Sequence, residues 1–399
     1  MLHLNVGPSA LALGLLIPMT QEAGFEVCVV GRPGERSPNR FGISGSGPTG
    51  RLRYRQVDWF EGPESVDDLP PEVARAIDGP GPVLITGSLR GAISDRCRFI
   101  TEVLQRRPSV AETIVLACEN APRAGYQEIR TVCEETGAIM LDTVVNRMCV
   151  TLPRDSEGRR MVSAHPLGEW LVARPQPPFA SSILSALEEL DEFETVDDIK
   201  ARYDRKLWMV NGAHQALALM ARRANADNRL EDGDDLRQAL RPPTAARLGH
   251  IHNAMNEALR VAHPYLEGNI DYSVAHVEAY AEHPDSVARV LAAYRRLDLI
   301  PFLEALDERI AAPARICHER DLSIEPFSHI IDVFLELVAN IDSFEDNIAV
   351  RSTPIAVGSD IKVVERFAAM LTPWAGESIE KQVGHFARLM ADHREAFER

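Results

Sequence analysis

The sequence predicts an α/β N-terminal domain of the doubly wound, Rossmann type, followed by an all-α C-terminal domain. Three observations carry that prediction. Short apolar runs alternate with helical patterns through the first part of the chain, and a Gly-Pro-Ser turn follows the first of those runs. Beyond Ser181 the strand patterns vanish almost completely. Strands that alternate with helices imply a parallel sheet with right-handed crossovers.

Taken in order, Leu2 to Val6 reads as a strand, followed by Gly7-Pro8-Ser9 and an apolar helix to about Glu22. Glu26 to Val30 is a second β-branched run, and Val83 to Thr86, Thr113 to Cys118 and Ala138 to Leu141 continue the series. Gly42 to Arg55 breaks the rhythm and is expected to form an exposed hairpin or loop. The Pro-rich piece Arg174-Pro175-Gln176-Pro177-Pro178 marks the approach to a boundary. The expected domains are 1–195 for the dinucleotide and 196–399 for substrate and catalysis. In the second, helical periodicity covers Asp204 to Ala221, Ala245 to Ala262, Ser273 to Tyr280, Ser286 to Arg295, His329 to Ala339 and Ile361 to Leu371.

Composition narrows the function classes. The chain has 399 residues, enough for two buried cores, and 45% hydrophobic with 26% charged residues argues against disorder and a membrane bundle. Its net charge of −16 lacks the basic field that attracts nucleic acid. Six scattered cysteines form no CxxC pair, and Cys28, Cys118 and Cys149 lie in apolar β-like runs, as buried thiols in a reducing cytosol do. The apolar start, Met1 to Met19, has no Lys or Arg ahead of it, and no uncharged stretch is long enough to span a bilayer. A soluble, cytoplasmic protein is expected.

A first strand that turns through glycine into a helix N-terminus suits a dinucleotide pyrophosphate, because free backbone N–H groups and the helix dipole face the anion. Here Gly7 supplies the first glycine, and Ser9 and Ala12 stand where G-x-G-x-x-G places its second and third. Ser9 still allows close backbone approach, with Ala10 next to it. The second strand ends Gly31-Arg32, with Arg36 and Arg40 behind, where an NAD site usually carries a carboxylate. A guanidinium there can bind a 2′-phosphate, so NAD(P)H is the expected cofactor and NADP(H) is favoured, although Glu35 lies nearby. Thr86-Gly87-Ser88 is the expected third contribution, passing beneath the nicotinamide side.

The most specific feature is K-x4-N-x2-H, formed by Lys206, Asn211 and His214 on an expected helix. At α-helical pitch, Asn211 lies roughly 140° and His214 roughly 80° from Lys206, on one broad face. The set suits metal-free interconversion of an alcohol and a ketone. Lysine takes the hydroxyl proton as hydride leaves, asparagine N–H groups steady the developing alkoxide, and histidine orients a neighbouring hydroxyl. Taken alone, the same residues also suit an amphipathic helix with a surface lysine, a capping asparagine and a half-buried histidine.

This signature resembles that of the polyol-specific long-chain dehydrogenase/reductase family, the mannitol dehydrogenase-like enzymes. Ala117-Cys118-Glu119-Asn120 and Pro166-Leu167-Gly168-Glu169-Trp170 resemble further family segments in order and spacing, as does Asp307-Glu308-Arg309 before Pro313-Ala314. The resemblance spans about residues 1 to 320. It implies a secondary-alcohol dehydrogenase for a polyol or sugar phosphate of the mannitol 1-phosphate/fructose 6-phosphate type, with no metal. It implies Lys206 as general acid/base and gives Asn120 a share of the oxyanion site, with Asn211, in a cleft between the domains. Val145-Asn146-Arg147-Met148 departs from the family's V-D-R-I, and Tyr280 to Pro284 from its basic, aromatic stretch.

Other features do not add a site. His250 and His252 are two apart and point about 200° apart on a helix, so they cannot chelate one ion. Glu188, Glu189 and Glu192 are expected on a solvated helix face, while Arg289, Arg295, Arg296 and Arg309 suit either an anion pocket or surface charge. The expected partner is a small polyol, ketose or sugar phosphate, with no nucleic acid or membrane, and the chain is expected to be a monomer or homodimer. The alternatives are a dehydrogenase of this scaffold for another hydroxylated metabolite, or a non-catalytic cofactor-binding homologue.

Overall fold

A computed structural model of the protein describes residues 1–31, 40–45, 52–88, 96–118, 126–176, 181–226, 244–266, 270–281, 305–339, 365 and 367–374. The chain divides into two units, Met1–Arg202 and Tyr203–Arg399.

The N-terminal unit holds a parallel sheet built from β1 (Leu2–Val6), β2 (Glu26–Gly31), β5 (Asp58–Glu61), β6 (Val83–Gly87), β7 (Thr113–Ala117) and β8 (Ile139–Leu141). Its order is β5-β2-β1-β6-β7-β8, so the chain first builds outward from β1 on one side and then restarts on the other at β6. The carboxyl ends of β1 and β6 therefore flank the switch point where ligands of open α/β sheets bind. Val6 pairs with Val30 on one side and Gly87 on the other, which brings Gly7, Gly31 and Ser88 to one rim.

Alternate residues of these strands feed two separate cores. Val27 and Val29 join one, whereas Cys28 and Val30 join the other together with Leu2, Leu4 and Val6. The second core is closed by α2 (Pro71–Asp78), α3 (Cys97–Arg106) and α4 (Gln127–Thr136) through Val73, Ile77, Phe99, Val103 and Ile129. The alternation explains why β1 reads Leu-His-Leu-Asn-Val. His3 and Asn5, both fully buried, turn to the face opposite the leucines and are tied into a chain of hydrogen bonds. The Thr20 hydroxyl donates to Leu16 and Ile17 carbonyls and so accepts from His3 Nδ1 at 2.8 Å. That leaves His3 Nε2 to accept from Thr86, whose oxygen accepts from Asn5 Nδ2, again at 2.8 Å. Burial holds the His3 imidazole neutral by pushing its pKa down to about 3.

A second sheet comprises β3 (Arg40–Gly45), β4 (Leu52–Gln56), β9 (Thr143–Leu152), β10 (Arg160–Ala173) and β11 (Phe193–Val196). The expected exposed hairpin is thus a sheet component: β3 pairs antiparallel with β4 but parallel with β10, and Phe41 is wholly buried. Strand β10 has Pro166, which lacks an amide for the ladder, and the register with β9 shifts between Ala164 and Gly168 to pass around it. The expected glutamate-rich helix face also needs correction. Helix α5 (Ser182–Leu187), capped by the Ser181 hydroxyl, stops before Glu188, and Glu192 lies just ahead of β11.

The helix after β1 starts at Ala10 and changes character within a turn. Ala12–Leu16 is π-helical, and α1 (Ile17–Glu22) continues it. Pro18 is the cause: it has no N–H to give the carbonyl four residues back, that of Gly14. Arg147 on β9 fills the gap, donating to the Gly14 carbonyl at 2.9 Å and to the Pro166 carbonyl at 2.7 Å. Cys149 presses on the same point, since a Cβ added at Gly14 would lie 2.6 Å from its sulfur.

The described part of the C-terminal unit is helical. Helix α6 (Ile199–Arg205) enters a π-helical segment, Lys206–Gly212, followed by α7 (Ala213–Ala226), α8 (Thr244–Ala262) and α9 (Ile270–Ala281). A second π segment, Asp307–Ala311, leads into α10 (Ala312–Glu319), and α11 (Glu325–Ala339) follows. Among the described residues, no helix is long and apolar enough to cross a membrane.

Gly14→Ala gives a test with opposed signs. In an open helix the change gains about 1 kcal/mol of propensity, but the contact with Cys149 makes it an overpacking substitution costing about 1–3 kcal/mol. Urea denaturation is expected to show a net loss, partly recovered when Cys149→Ala is added. A net gain from Gly14→Ala alone contradicts the packing described.

Candidate functional site

Two sets of residues bear on function, one in each unit. In the first, Gly7 adopts a left-handed φ of 73°, which turns the chain off β1, and its amide bonds the Val30 carbonyl. The Ser9 hydroxyl caps the Ala12 amide at 3.1 Å, leaving the amides of Ala10 and Leu11 in the first turn for an anion. Ser88, buried at the end of β6, donates to the Gly7 carbonyl at 2.8 Å and ties the two strand ends of the switch point together. These residues fit a dinucleotide pyrophosphate. Thr86 differs from expectation, because its hydroxyl is committed to His3 and Asn5 inside the sheet, so this strand end offers Gly87 and Ser88 alone.

Arg160 was not singled out by sequence reasoning. It donates to the Pro8 carbonyl at 2.9 Å and lies over the Trp59 ring at 5.2 Å, placing a cation beside the turn. Its burial lowers its pKa. No local signal marks it, since Pro8 and Arg160 are 152 positions apart in the chain. Arg32, Glu35, Arg36 and Asn120 lie outside the described residues, as do Arg289, Arg295 and Arg296.

In the C-terminal unit, Lys206, Asn211 and His214 stand on one continuous helical run, but its pitch is not that of an α-helix. Lys206–Gly212 is π-helical, and closure from i to i+5 widens the turn. Lys206 and Asn211, five apart, therefore lie closer around the helix axis than α-helical pitch would put them. The 140° separation expected from α-helical pitch is corrected by that wider turn. Lys206 is buried, and Asn211 and His214 are half-buried.

Gly212 permits this geometry. A Cβ there would lie 2.8 Å from the Arg309 carbonyl and 3.0 Å from the Met255 methyl, so the two π segments meet at a residue with no side chain. His214 stacks on Tyr280 with ring centroids 4.7 Å apart, and its Nε2 donates to the His276 carbonyl at 3.2 Å. The remaining Nδ1 is then an acceptor. Burial pushes the His214 pKa down to about 4, against the pull of that carbonyl, and His276, Arg309 and His252 lower it further. Arg309, on the second π segment, has a buried Nε with no hydrogen-bond partner among the described residues, and burial lowers its pKa. Two residues before Lys206, buried Asp204 pairs with His263 Nε2 at 2.8 Å.

His250 and His252 diverge as their spacing requires: His250 is exposed and His252 is buried against Ser273. Five of the cysteines are buried and Cys149 is half-buried, and all are free thiols.

The fold defines a class: an N-terminal Rossmann-type domain followed by a helical C-terminal domain. Its solved neighbours include Pseudomonas fluorescens mannitol 2-dehydrogenase in a ternary complex with NAD and D-mannitol. The match has 12% identity and a TM-score of 0.59, covering 99% of this chain and 92% of that chain. A substrate-free D-sorbitol dehydrogenase matches with 12% identity and a TM-score of 0.57, over 99% of this chain and 93% of that one. The 2-dehydropantoate 2-reductase of Geobacter metallireducens GS-15 matches at 14% identity and a TM-score of 0.50, over 84% of this chain and 98% of that one. No protein-family model matches the chain, and no curated protein matches it in sequence.

The buried histidines set a pH dependence with a definite sign. His3, His214 and His252 have folded pKa values of about 3, 4 and 4, below the unfolded value of 6.5. Between about 6.5 and 4 the unfolded chain binds more protons, so stability rises with pH there and its histidine share is complete above about 6.5. The urea midpoint is expected to fall between about pH 7.5 and pH 5. An unchanged or higher midpoint at the lower pH contradicts neutral burial of these rings.

Proposed function

We propose that the chain is a metal-independent, NAD(P)-dependent oxidoreductase that interconverts a secondary alcohol and a ketone of a polyol or sugar phosphate. The observation that carries this reading is the π turn that holds buried Lys206 and Asn211, followed one helical turn on by a neutral His214. Fold likeness to mannitol 2-dehydrogenase and D-sorbitol dehydrogenase supports it. Residues 1–195 hold the dinucleotide and 196–399 the substrate.

Gly7, Ser9, Ala10, Gly87 and Ser88 hold the dinucleotide, and Arg32, from its place in sequence after the second strand, is assigned to its 2′-phosphate. When bound, that cofactor accepts or donates the hydride. The chain's own residues do the rest. Lys206 takes the hydroxyl proton in oxidation and returns it in reduction. Asn211 donates an amide N–H to the developing alkoxide, with Asn120 as a second donor by resemblance to the family. His214, neutral and donating through Nε2 to the His276 carbonyl, accepts a neighbouring substrate hydroxyl at Nδ1. Of the two substrate classes, a sugar phosphate is favoured over a neutral polyol by Arg309, whose buried Nε has no partner among the described residues.

A spectrophotometric screen of NADH and NADPH with ketoses and ketose phosphates, and of the oxidised cofactors with polyols, tests the reading. With the substrate it finds, Lys206→Ala is expected to lower turnover by about 10²–10⁴-fold with cofactor affinity unchanged. Near-normal turnover in the variant removes Lys206 from the chemistry.

Cofactor choice has its own test. Loss of the Arg32 contact is expected to remove about 1.5–3 kcal/mol of NADPH binding, tenfold or more. Titrating both cofactors into the parent and Arg32→Ala is expected to show an NADPH advantage in the parent alone, shrinking with salt. Equal binding of the two cofactors by the parent overturns the assignment.

A further inference from the structure

Where a helix passes from π to α closure, amides stop reaching back five residues and begin reaching back four. One carbonyl near the end of the π segment is then passed over by the amides. The segment Lys206–Gly212 gives way to α7 at Ala213, whose amide bonds the Val210 carbonyl and so passes over that of Met209, four residues back. Met209 is buried at 1% exposure, so water cannot satisfy it. The Ser273 hydroxyl on α9, wholly buried, donates to this carbonyl. Its oxygen in turn accepts from His252 Nε2 on α8 at 3.0 Å. Burial holds His252 at a pKa of about 4, against the opposing pull of the Met209 carbonyl, so the ring is a neutral donor at pH 7. The result is a directed relay from His252 to Ser273 to Met209.

We propose that Ser273 and His252 are positioning residues: by satisfying the Met209 carbonyl they hold Lys206–Gly212 in its π form and so set the alignment of Lys206 with Asn211. The inference rests on the proposed chemistry for its consequence and on helix geometry for its cause. An α-helical Lys206–Gly212 would satisfy its own carbonyls and rotate Asn211 well away from Lys206. Without the Ser273 hydroxyl the buried Met209 carbonyl keeps only the weaker pull of His252, and the segment relaxes towards α closure. A misplacement of about 1 Å in such a pair costs on the order of 10²-fold in rate.

The test compares Ser273→Ala and Ser273→Thr, which keeps the hydroxyl, with the parent by two readouts. Native-state amide exchange over residues 206–214 needs no substrate. Ser273→Ala is expected to alter exchange there while α8 and α11 keep parent rates, and Ser273→Thr is expected to restore the parent pattern. In turnover assays Ser273→Ala is expected to lower kcat by about 10²-fold with NAD(P)H affinity unchanged, and Ser273→Thr to recover most of it. A folded Ser273→Ala with parent exchange over 206–214, or with parent kcat, overturns the proposal. A parent inactive on every alcohol and ketone removes the proposed chemistry instead, and the exchange readout alone then decides whether the relay holds the turn.

Discussion

A buried carbonyl must find a donor, and in this protein that constraint shapes both units. Leaving such a group unpaired costs about 1–3 kcal/mol, a large share of the stability of an ordinary domain. Proline and π turns each strip a carbonyl of its amide. At Pro18 the orphan is the carbonyl of Gly14, answered by Arg147 from a different sheet. At the end of Lys206–Gly212 it is Met209's, answered by Ser273. Pro313 repeats the first pattern, taking the amide from the Arg309 carbonyl four residues back, and that carbonyl packs at Gly212. Helices that sequence periodicity treats as uniform are therefore wound at two pitches, and the wide turns lie beside the residues of functional interest.

The consequence for chemistry runs through spacing. K-x4-N is spread widely around an α-helix and less widely on a π turn, because five residues overshoot the wider circle by less than they overshoot the narrower one. Gly212 makes room for the turn and Ser273 satisfies it. His214, where α pitch resumes, is held by stacking on Tyr280 and by its bond to the His276 carbonyl. In the N-terminal unit a comparable tie joins the Ser88 hydroxyl to the Gly7 carbonyl, so the strand ends of β1 and β6 are fixed together rather than merely adjacent.

Much of this was legible in the sequence, and the rest was not for definable reasons. Central parallel strands are buried on both faces and announce themselves as apolar runs, so Leu2 to Val6, Glu26 to Val30 and Thr113 to Cys118 could be read directly. Strands β9 and β10 escaped because Arg147, Arg160, Pro166 and Gly168 interrupt their patterns, and each interruption answers a non-local need: a carbonyl on the first helix, the Pro8 turn, a register shift. Glu188 and Glu189 follow helical spacing in composition, yet the chain leaves the helix at Leu187 to reach β11. Lys206, Asn211 and His214 stand out by motif, but the Met209 carbonyl between them is bonded by Ser273, 64 positions away. No local pattern encodes that pairing.

Chemical rescue tests the central claim, that the Lys206 amine carries the proton, most directly. Lys206→Ala, shown by cofactor titration to be folded, would be assayed with saturating cofactor and substrate in the presence of small primary amines. The account predicts turnover that rises with amine concentration and follows amine basicity from one amine to the next, as proton transfer by a positioned group requires. Turnover that no amine restores, or that rises equally with every amine whatever its basicity, would contradict it.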